Sequence, residues 1–129
     1  MKEELNEKDL LERLLNYTQE ELEKKIEDIH PADVLDLLHD NEEYFSKILK
    51  RLPDWFIAAI LEEEEDEEKY EILKKFSESE QKKILGEMSS DELTDLVGAL
   101  DEEETRSVLK KINEEDRKDV YKLRSEERR

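Results

Sequence analysis

Pairs of apolar residues return every twelve positions along most of this chain: Ile48-Leu49, Ile60-Leu61, Ile72-Leu73, Ile84-Leu85, Leu96-Val97, Val108-Leu109 and Val120-Tyr121. A second apolar mark follows most pairs by three residues, at Leu52, Phe76, Met88, Leu100 and Ile112. It falls one position early at Leu123 and fails only at Glu64. Spacing such as Leu93, Leu96, Val97 and Leu100 places these side chains on one face of an α-helix. A unit of this length leaves room for a helix of roughly nine or ten residues, about 14 Å long, and a turn of two or three. So short an amphipathic helix cannot bury its apolar stripe alone, and successive units must fold back and stack. The expected fold is all-α, a solenoid of short helices wound into a superhelix of either hand.

The turns carry matching signals. The residue after the final apolar mark of a unit is a helix-starting type at Pro53, Ser77, Ser89, Asp101 and Asn113. Three residues beyond four of these stand Glu80, Glu92, Glu104 and Asp116, so Ser77 with Glu80 and Ser89 with Glu92 fit the reciprocal capping box. Upstream the register slips. Leu10, Leu11, Leu14 and Leu15 predict a first helix, and Thr18-Gln19-Glu20-Glu21 opens a second that carries Leu22, Ile26 and Ile29. Pro31 sits at the first position of a third, with Val34, Leu35, Leu37 and Leu38. No linker divides the 129 residues, which predicts one domain over 1–129. An N-terminal helix over 1–17 precedes the repeats, and a terminal helix spans 113–129.

Composition excludes several classes of function. With 40 acidic against 22 basic residues the formal net charge is -18, which repels phosphate backbones and makes nucleic acid an unsuitable partner. The same charge strains a compact state, so bound cations or a basic partner are expected to stabilise it. Charged residues make up 48% of the chain, a composition that borders on disorder, but the periodic apolar marks decide for a folded core. The longest uninterrupted apolar stretch, Trp55 to Leu61, is far below the roughly 20 residues of a spanning helix. Met1-Lys2-Glu3-Glu4 leads into alternating charge with no apolar run, so no secretory signal is expected. The absence of cysteine removes disulfide and thiolate chemistry and fits a cytosolic setting.

Few residues offer chemistry. His30 and His39 are the only histidines, too few nitrogen ligands for a tetrahedral zinc site, and His30 before Pro31 reads as a turn residue. No nucleophile elbow, glycine-rich phosphate loop or zinc-protease helix is present, so no enzyme activity is expected. Glu62 to Glu68 is an unbroken acidic run that reads as a solvated helix end and turn while attracting hard cations diffusely. Asp91 and Asp95, with Glu92 between them, are spaced to project both aspartates from one helical face, where a divalent ion would relieve their repulsion. Acids are so abundant that this spacing alone selects nothing. Arg117, Lys118, Lys122, Arg124, Arg128 and Arg129 outnumber Asp119, Glu126 and Glu127. They either complement a helix dipole or belong to a connector helix that leads to further domains or touches an anionic surface.

One combination is more specific. Ile29-His30-Pro31-Ala32-Asp33-Val34-Leu35-Asp36-Leu37-Leu38, then Leu52-Pro53 with Ala58-Ala59, then Ser89-Ser90-Asp91-Glu92-Leu93-Thr94-Asp95-Leu96, resembles the cytosolic N-terminal domain of MgtE magnesium transporters over nearly the whole chain. The middle domain of the flagellar switch protein FliG is similar at a greater distance, and would make this chain a helical-repeat protein-interaction module. Helical repetition alone does not separate the two.

The MgtE resemblance implies a right-handed superhelix on the cytoplasmic face of a homodimeric Mg²⁺ channel. A pair of CBS domains, a connecting helix and the membrane pore would follow it. It implies that the acidic face meets the CBS domains of the same polypeptide through bound Mg²⁺, so that loss of magnesium lets repulsion separate them and open the gate. The metal-contacting acids of the family fall on Asp91 and Asp95, with Glu92 beside them as a third carboxylate, and Ala59 stands where the family can carry another acid. Mg²⁺ usually takes only one or two protein carboxylates from one element, so half of an interdomain site is expected to bind weakly on its own.

Overall fold

Helices begin where local chemistry satisfies the exposed amides of a first turn. In the computed structural model, which describes residues 6–127, Asn6 accepts from the Asp9 amide at 2.8 Å and opens α1 (Glu7–Asn16). Thr18 opens α2 (Gln19–Lys25) with the full reciprocal box: its hydroxyl accepts from the Glu21 amide at 3.1 Å, and the Glu21 carboxylate accepts from the Thr18 amide at 3.0 Å. His30 caps α3 (Pro31–Asp40) through Nδ1, which accepts from the Ala32 amide, while Pro31 takes the first helical position, where it forfeits no hydrogen bond. The short α4 (Phe45–Leu49) and α5 (Asp54–Glu63) follow. Pro53 sits just ahead of α5, and its carbonyl accepts from the Phe56 and Ile57 amides. Short 3₁₀ turns, Ile26–Asp28 and Glu42–Tyr44, continue α2 and precede α4.

The remaining helices are α6 (Asp66–Leu73), α7 (Glu78–Gly86), α8 (Ser90–Gly98), α9 (Glu102–Lys111) and α10 (Glu114–Glu127). From α5 to α10 each helix starts twelve residues after the last, as the apolar pairs require. Among the described residues there is no strand, and the fold is all-α. No helix among them is long and apolar enough to cross a membrane.

Two of the anticipated capping boxes are incomplete. Ser77 and Ser89 each accept from the amide three residues on, at 3.2 Å. The return half of the box is missing: the Glu80 carboxylate accepts from the Ser77 hydroxyl, and Glu92 is drawn to a lysine on another helix. The second full box belongs to Asp101 and Glu104. Glu65, which opens α6, makes no side-chain cap, in the one unit whose apolar mark is replaced, by Glu64.

The chain gathers into two compact units, with the boundary between Glu63 and Glu64. In the first, α3 packs against α5 and α1 against α3, around Leu14, Leu37, Leu38, Phe56 and Ile60, all essentially sealed from solvent. Each such side chain contributes about 1.5–3 kcal/mol by leaving water. The half-buried Arg51 guanidinium donates to the carbonyls of Leu14 and Tyr17, satisfying the frayed end of α1, and Gln19 Nε2 donates back to the Arg51 carbonyl at 3.0 Å.

In the second unit, each helix packs on the one two steps along: α6 on α8, α7 on α9, and α8 on α10. The apolar pairs are buried throughout both units, with one exception, Tyr121, which is 52% exposed. The half-buried Arg117 of α10 donates to the carbonyls of Leu109 at 2.9 Å and Ile112 at 3.2 Å, closing the end of α9 as Arg51 closes α1.

Candidate functional site

The acids singled out by sequence lie in the first turns of α8, which begins at Ser90 because the Ser89 hydroxyl holds the Glu92 amide. Acidic side chains suit this end of a helix, where unpaired amides leave partial positive charge. Leu93, Thr94, Leu96 and Val97 are buried, and that fixes which way the others face. Asp91 and Asp95 are exposed, and neither carboxylate makes a hydrogen bond or ion pair among the described residues. At i and i+4 their Cβ atoms are neighbours, about 5–6 Å apart in a regular helix.

Glu92 behaves differently. It is half-buried and turned toward α6, with its carboxylate 3.4 Å from Lys69 Nζ. Lys69 is 3% exposed and also meets Asp66 at 2.8 Å, a pair formed within the first turn of α6. Burial works against its charge, but the hydrogen bond to Asp66 and the negative charges of Glu92 and Asp66 outweigh it, so its pKa is held above the ordinary lysine value. The three acids therefore do not converge: two face outward, and one is neutralised by a fixed ammonium.

Among the described residues no group of three or more His, Cys, Asp or Glu side chains is arranged to hold a metal ion. The donor chemistry of Asp91 and Asp95 still suits a hard, hydrated cation. Mg²⁺ keeps several waters and accepts one or two carboxylates from a single element, so this pair fits part of a coordination shell. Ala59, half-buried on α5, brings no donor atom.

The other sequence candidates have structural work. His30 is a helix cap, and His39 is exposed with its ring edge-on to Phe45, centroids 6.5 Å apart. The Glu62–Glu68 run forms the end of α5, a turn and the first turn of α6, and Asp66 within it holds Lys69. Of the basic residues near the C-terminus, the half-buried Arg117 closes α9, and Lys118 stands 4.0 Å from Glu114 in a pair largely in water; Arg128 and Arg129 lie outside the described residues.

Lys69 is the residue that sequence reading missed. A signal for it exists, because Lys69, Gln81, Leu93, Thr105 and Arg117 occupy the same slot of the twelve-residue register. Leu93 shows that the slot faces inward, and its polar occupants each reach an internal partner. Gln81 donates to the Phe76 carbonyl and accepts from Lys111, and Thr105 donates to the Val97 carbonyl.

No curated protein and no solved structure matches the chain. Residues 29–125, running from the turn before α3 into α10 and including the acidic turn of α8, match the family model described as the MgtE intracellular N domain. With most of its length matched, the chain belongs to the family of MgtE intracellular N domains.

Proposed function

We propose that this domain is the regulatory part of a magnesium transporter and senses Mg²⁺ at the cytoplasmic face through Asp91 and Asp95. The observation that carries the reading is that these two carboxylates stand exposed and unpaired, one turn apart, while the neighbouring Glu92 is committed to Lys69. Membership of the MgtE N-domain family supplies the context. The reading assigns no catalytic step.

Two like charges at this spacing oppose one another by about 0.2–0.5 kcal/mol. The opposition grows when another acidic surface approaches a chain of net charge -18. A hydrated Mg²⁺ held by Asp91 and Asp95 on one side, and by groups of a following domain such as the CBS pair on the other, cancels the repulsion and favours the closed arrangement. When magnesium falls, the repulsion returns and the arrangement opens. In a homodimeric transporter the shift is set by the difference in ion affinity between the two arrangements. The role of Lys69 is to hold α8 in register on α6, so that the aspartates face outward whether or not an ion is bound.

Thermal unfolding of the chain across a MgCl₂ series, against NaCl at matched ionic strength, tests this. The expected result is a magnesium-specific rise in midpoint that fades when Asp91 and Asp95 are both changed to Asn. An equal response to both salts, unchanged in the double variant, reduces the effect in this domain to general screening and leaves no magnesium site formed by Asp91 and Asp95 on their own.

A further inference from the structure

The inward slot that Lys69 fills is occupied by Ile57 one unit earlier and by Leu93 two units later, both buried, so burial there does not call for a charge. Its other polar occupants, Gln81, Thr105 and Arg117, each donate to main-chain carbonyls. Among the described occupants of this slot only Lys69 meets carboxylates, and it meets two from different helices, Asp66 of α6 at 2.8 Å and Glu92 of α8 at 3.4 Å. The lysine side chain is 3% exposed, whereas Asp66 is 49% and Glu92 25% exposed. The two acids therefore form a seam that is open to water at one end and stopped at the other by a cation of the chain's own.

A position that holds an ammonium between two carboxylates suits a metal cation once the nitrogen is gone. Which metal depends on how many protein oxygens it gathers. Ca²⁺ takes about six to eight oxygens at about 2.3–2.6 Å in irregular geometry, while Mg²⁺ demands an octahedron at about 2.0–2.1 Å and keeps several of its waters. Two half-covered carboxylates on separate helices, with Asp91 next in the chain to one of them, favour the larger and less strictly coordinated ion. Asp91 and Asp95, exposed and one turn apart on a single helix, offer only part of a shell and suit the hydrated one.

We propose that Lys69 determines which ion the acidic turn of α8 accepts: its ammonium fills the seam between Asp66 and Glu92, denies it to Ca²⁺, and leaves only the outward aspartates for a hydrated Mg²⁺. The proposal rests on the reading of Asp91 and Asp95 as the magnesium-facing pair, and adds what keeps that pair selective. Lys69 acts through the carboxylates it holds and touches no ion, so it is a positioning residue.

Thermal unfolding of the full chain in parallel MgCl₂ and CaCl₂ series, against NaCl at matched ionic strength, gives the apparent affinity for each ion from the shift in midpoint. In Lys69→Met, shown to be folded by circular dichroism, the apparent Ca²⁺ affinity should rise at least about fivefold over the parent chain while that for Mg²⁺ changes less than about twofold. Adding Glu92→Gln to Lys69→Met should erase the gain. Lys69→Gln, which copies the occupant of the next unit, serves the same purpose should the methionine variant fail to fold. In the parent chain Glu92→Gln alone should leave both responses unchanged, because Glu92 is already held by Lys69.

A lysine with a merely structural role moves the midpoint alike in every salt and leaves the ratio of the two ion responses fixed, and that result overturns the proposal. So does a Mg²⁺ response that Glu92→Gln alone weakens several-fold, since Glu92 would then be a ligand with Lys69 in place. A parent chain that answers neither ion beyond NaCl defeats the reading of Asp91 and Asp95. Even then, a Ca²⁺ response gained in Lys69→Met and lost again with Glu92→Gln upholds the exclusion by Lys69, and the absence of that gain overturns it.

Discussion

Lys69 and Glu92, twenty-three residues apart in sequence, meet at 3.4 Å and tie the first turn of α8 to α6. The ammonium is almost wholly covered while both of its acidic partners keep contact with water. Removing the lysine leaves two carboxylates facing each other with no counter-charge.

Lys69→Met keeps the aliphatic stem and deletes only the charge. It should destabilise the chain by about 1–2 kcal/mol, above a surface ion pair and below a fully buried one. In a double-mutant cycle with Glu92→Gln, chemical denaturation should return a coupling of at least about 0.5 kcal/mol, whereas strict additivity would mean that the pair contributes nothing. The contribution is present below the ordinary lysine pKa of 10.5 and is lost only as pH rises through the elevated folded value, so it should be constant across neutral pH.

The box at Thr18 and Glu21 has the opposite pH signature. Backbone and side-chain hydrogen bonds from Thr18 hold the Glu21 pKa below its usual 4.5, so its stabilisation is present above that value and fades as pH falls through the lowered one. Thr18→Ala should cost about 1 kcal/mol at pH 7. The midpoint difference between the parent chain and Glu21→Gln should shrink on acidification below pH 4.5, and a difference that holds steady in acid would show that the box is not formed.

At the start of α1, the hydrogen bond that a protonated Glu7 can share with Asp40, together with slight desolvation and the charges of Asp40 and Asp36, raises its pKa above 4.5 although its side chain is exposed. An acid that holds its proton more tightly when folded favours folding at low pH, and that benefit disappears as pH rises through the raised value. At neutral pH what remains is repulsion. Glu7→Gln should therefore raise the melting midpoint at pH 7 and lose its advantage below about pH 4.5; calorimetry that finds it destabilising at pH 7 contradicts the contact.

Equivalent slots of the repeat should respond unequally. Leu73→Ala removes a sealed side chain and should cost about 2–5 kcal/mol. Tyr121→Ala, in the same slot but half exposed, should stay within about 0.5 kcal/mol. Similar losses at both would show that the last turn of the repeat is covered in the folded chain.

The spacing of apolar pairs made the helix starts from Asp54 to Glu114 readable, because burial and capping impose the same period on one stretch of chain. Thr18 and Pro31 were legible for a similar reason, since first-turn chemistry acts within three residues, whereas His30, read as a turn residue, is the cap of α3. Glu92 was not. Its role depends on Lys69 on a different helix, and local chemistry at Ser89 predicted a box that this distant ammonium disrupts. Helical spacing put Asp91 and Asp95 on one face, that this face is exposed follows from the folded chain, and their singling out among 40 acids came from family resemblance. Arg51 and Arg117 were illegible as closers of other helices, since the carbonyls they serve are defined only once the chain has folded back.

Because each helix of the second unit packs on the one two steps along, and starts recur at a constant interval, the chain can be lengthened or shortened in paired units without moving any inward-facing slot. Excising α7 and α8 together would place α9 where α7 began, with Thr105 inheriting the slot of Gln81. Excising α7 alone would also keep the register, because every unit carries the same slots, and would set α9 two steps from α6. A chain built on this plan can change length by whole twelve-residue units while keeping every inward-facing slot in register.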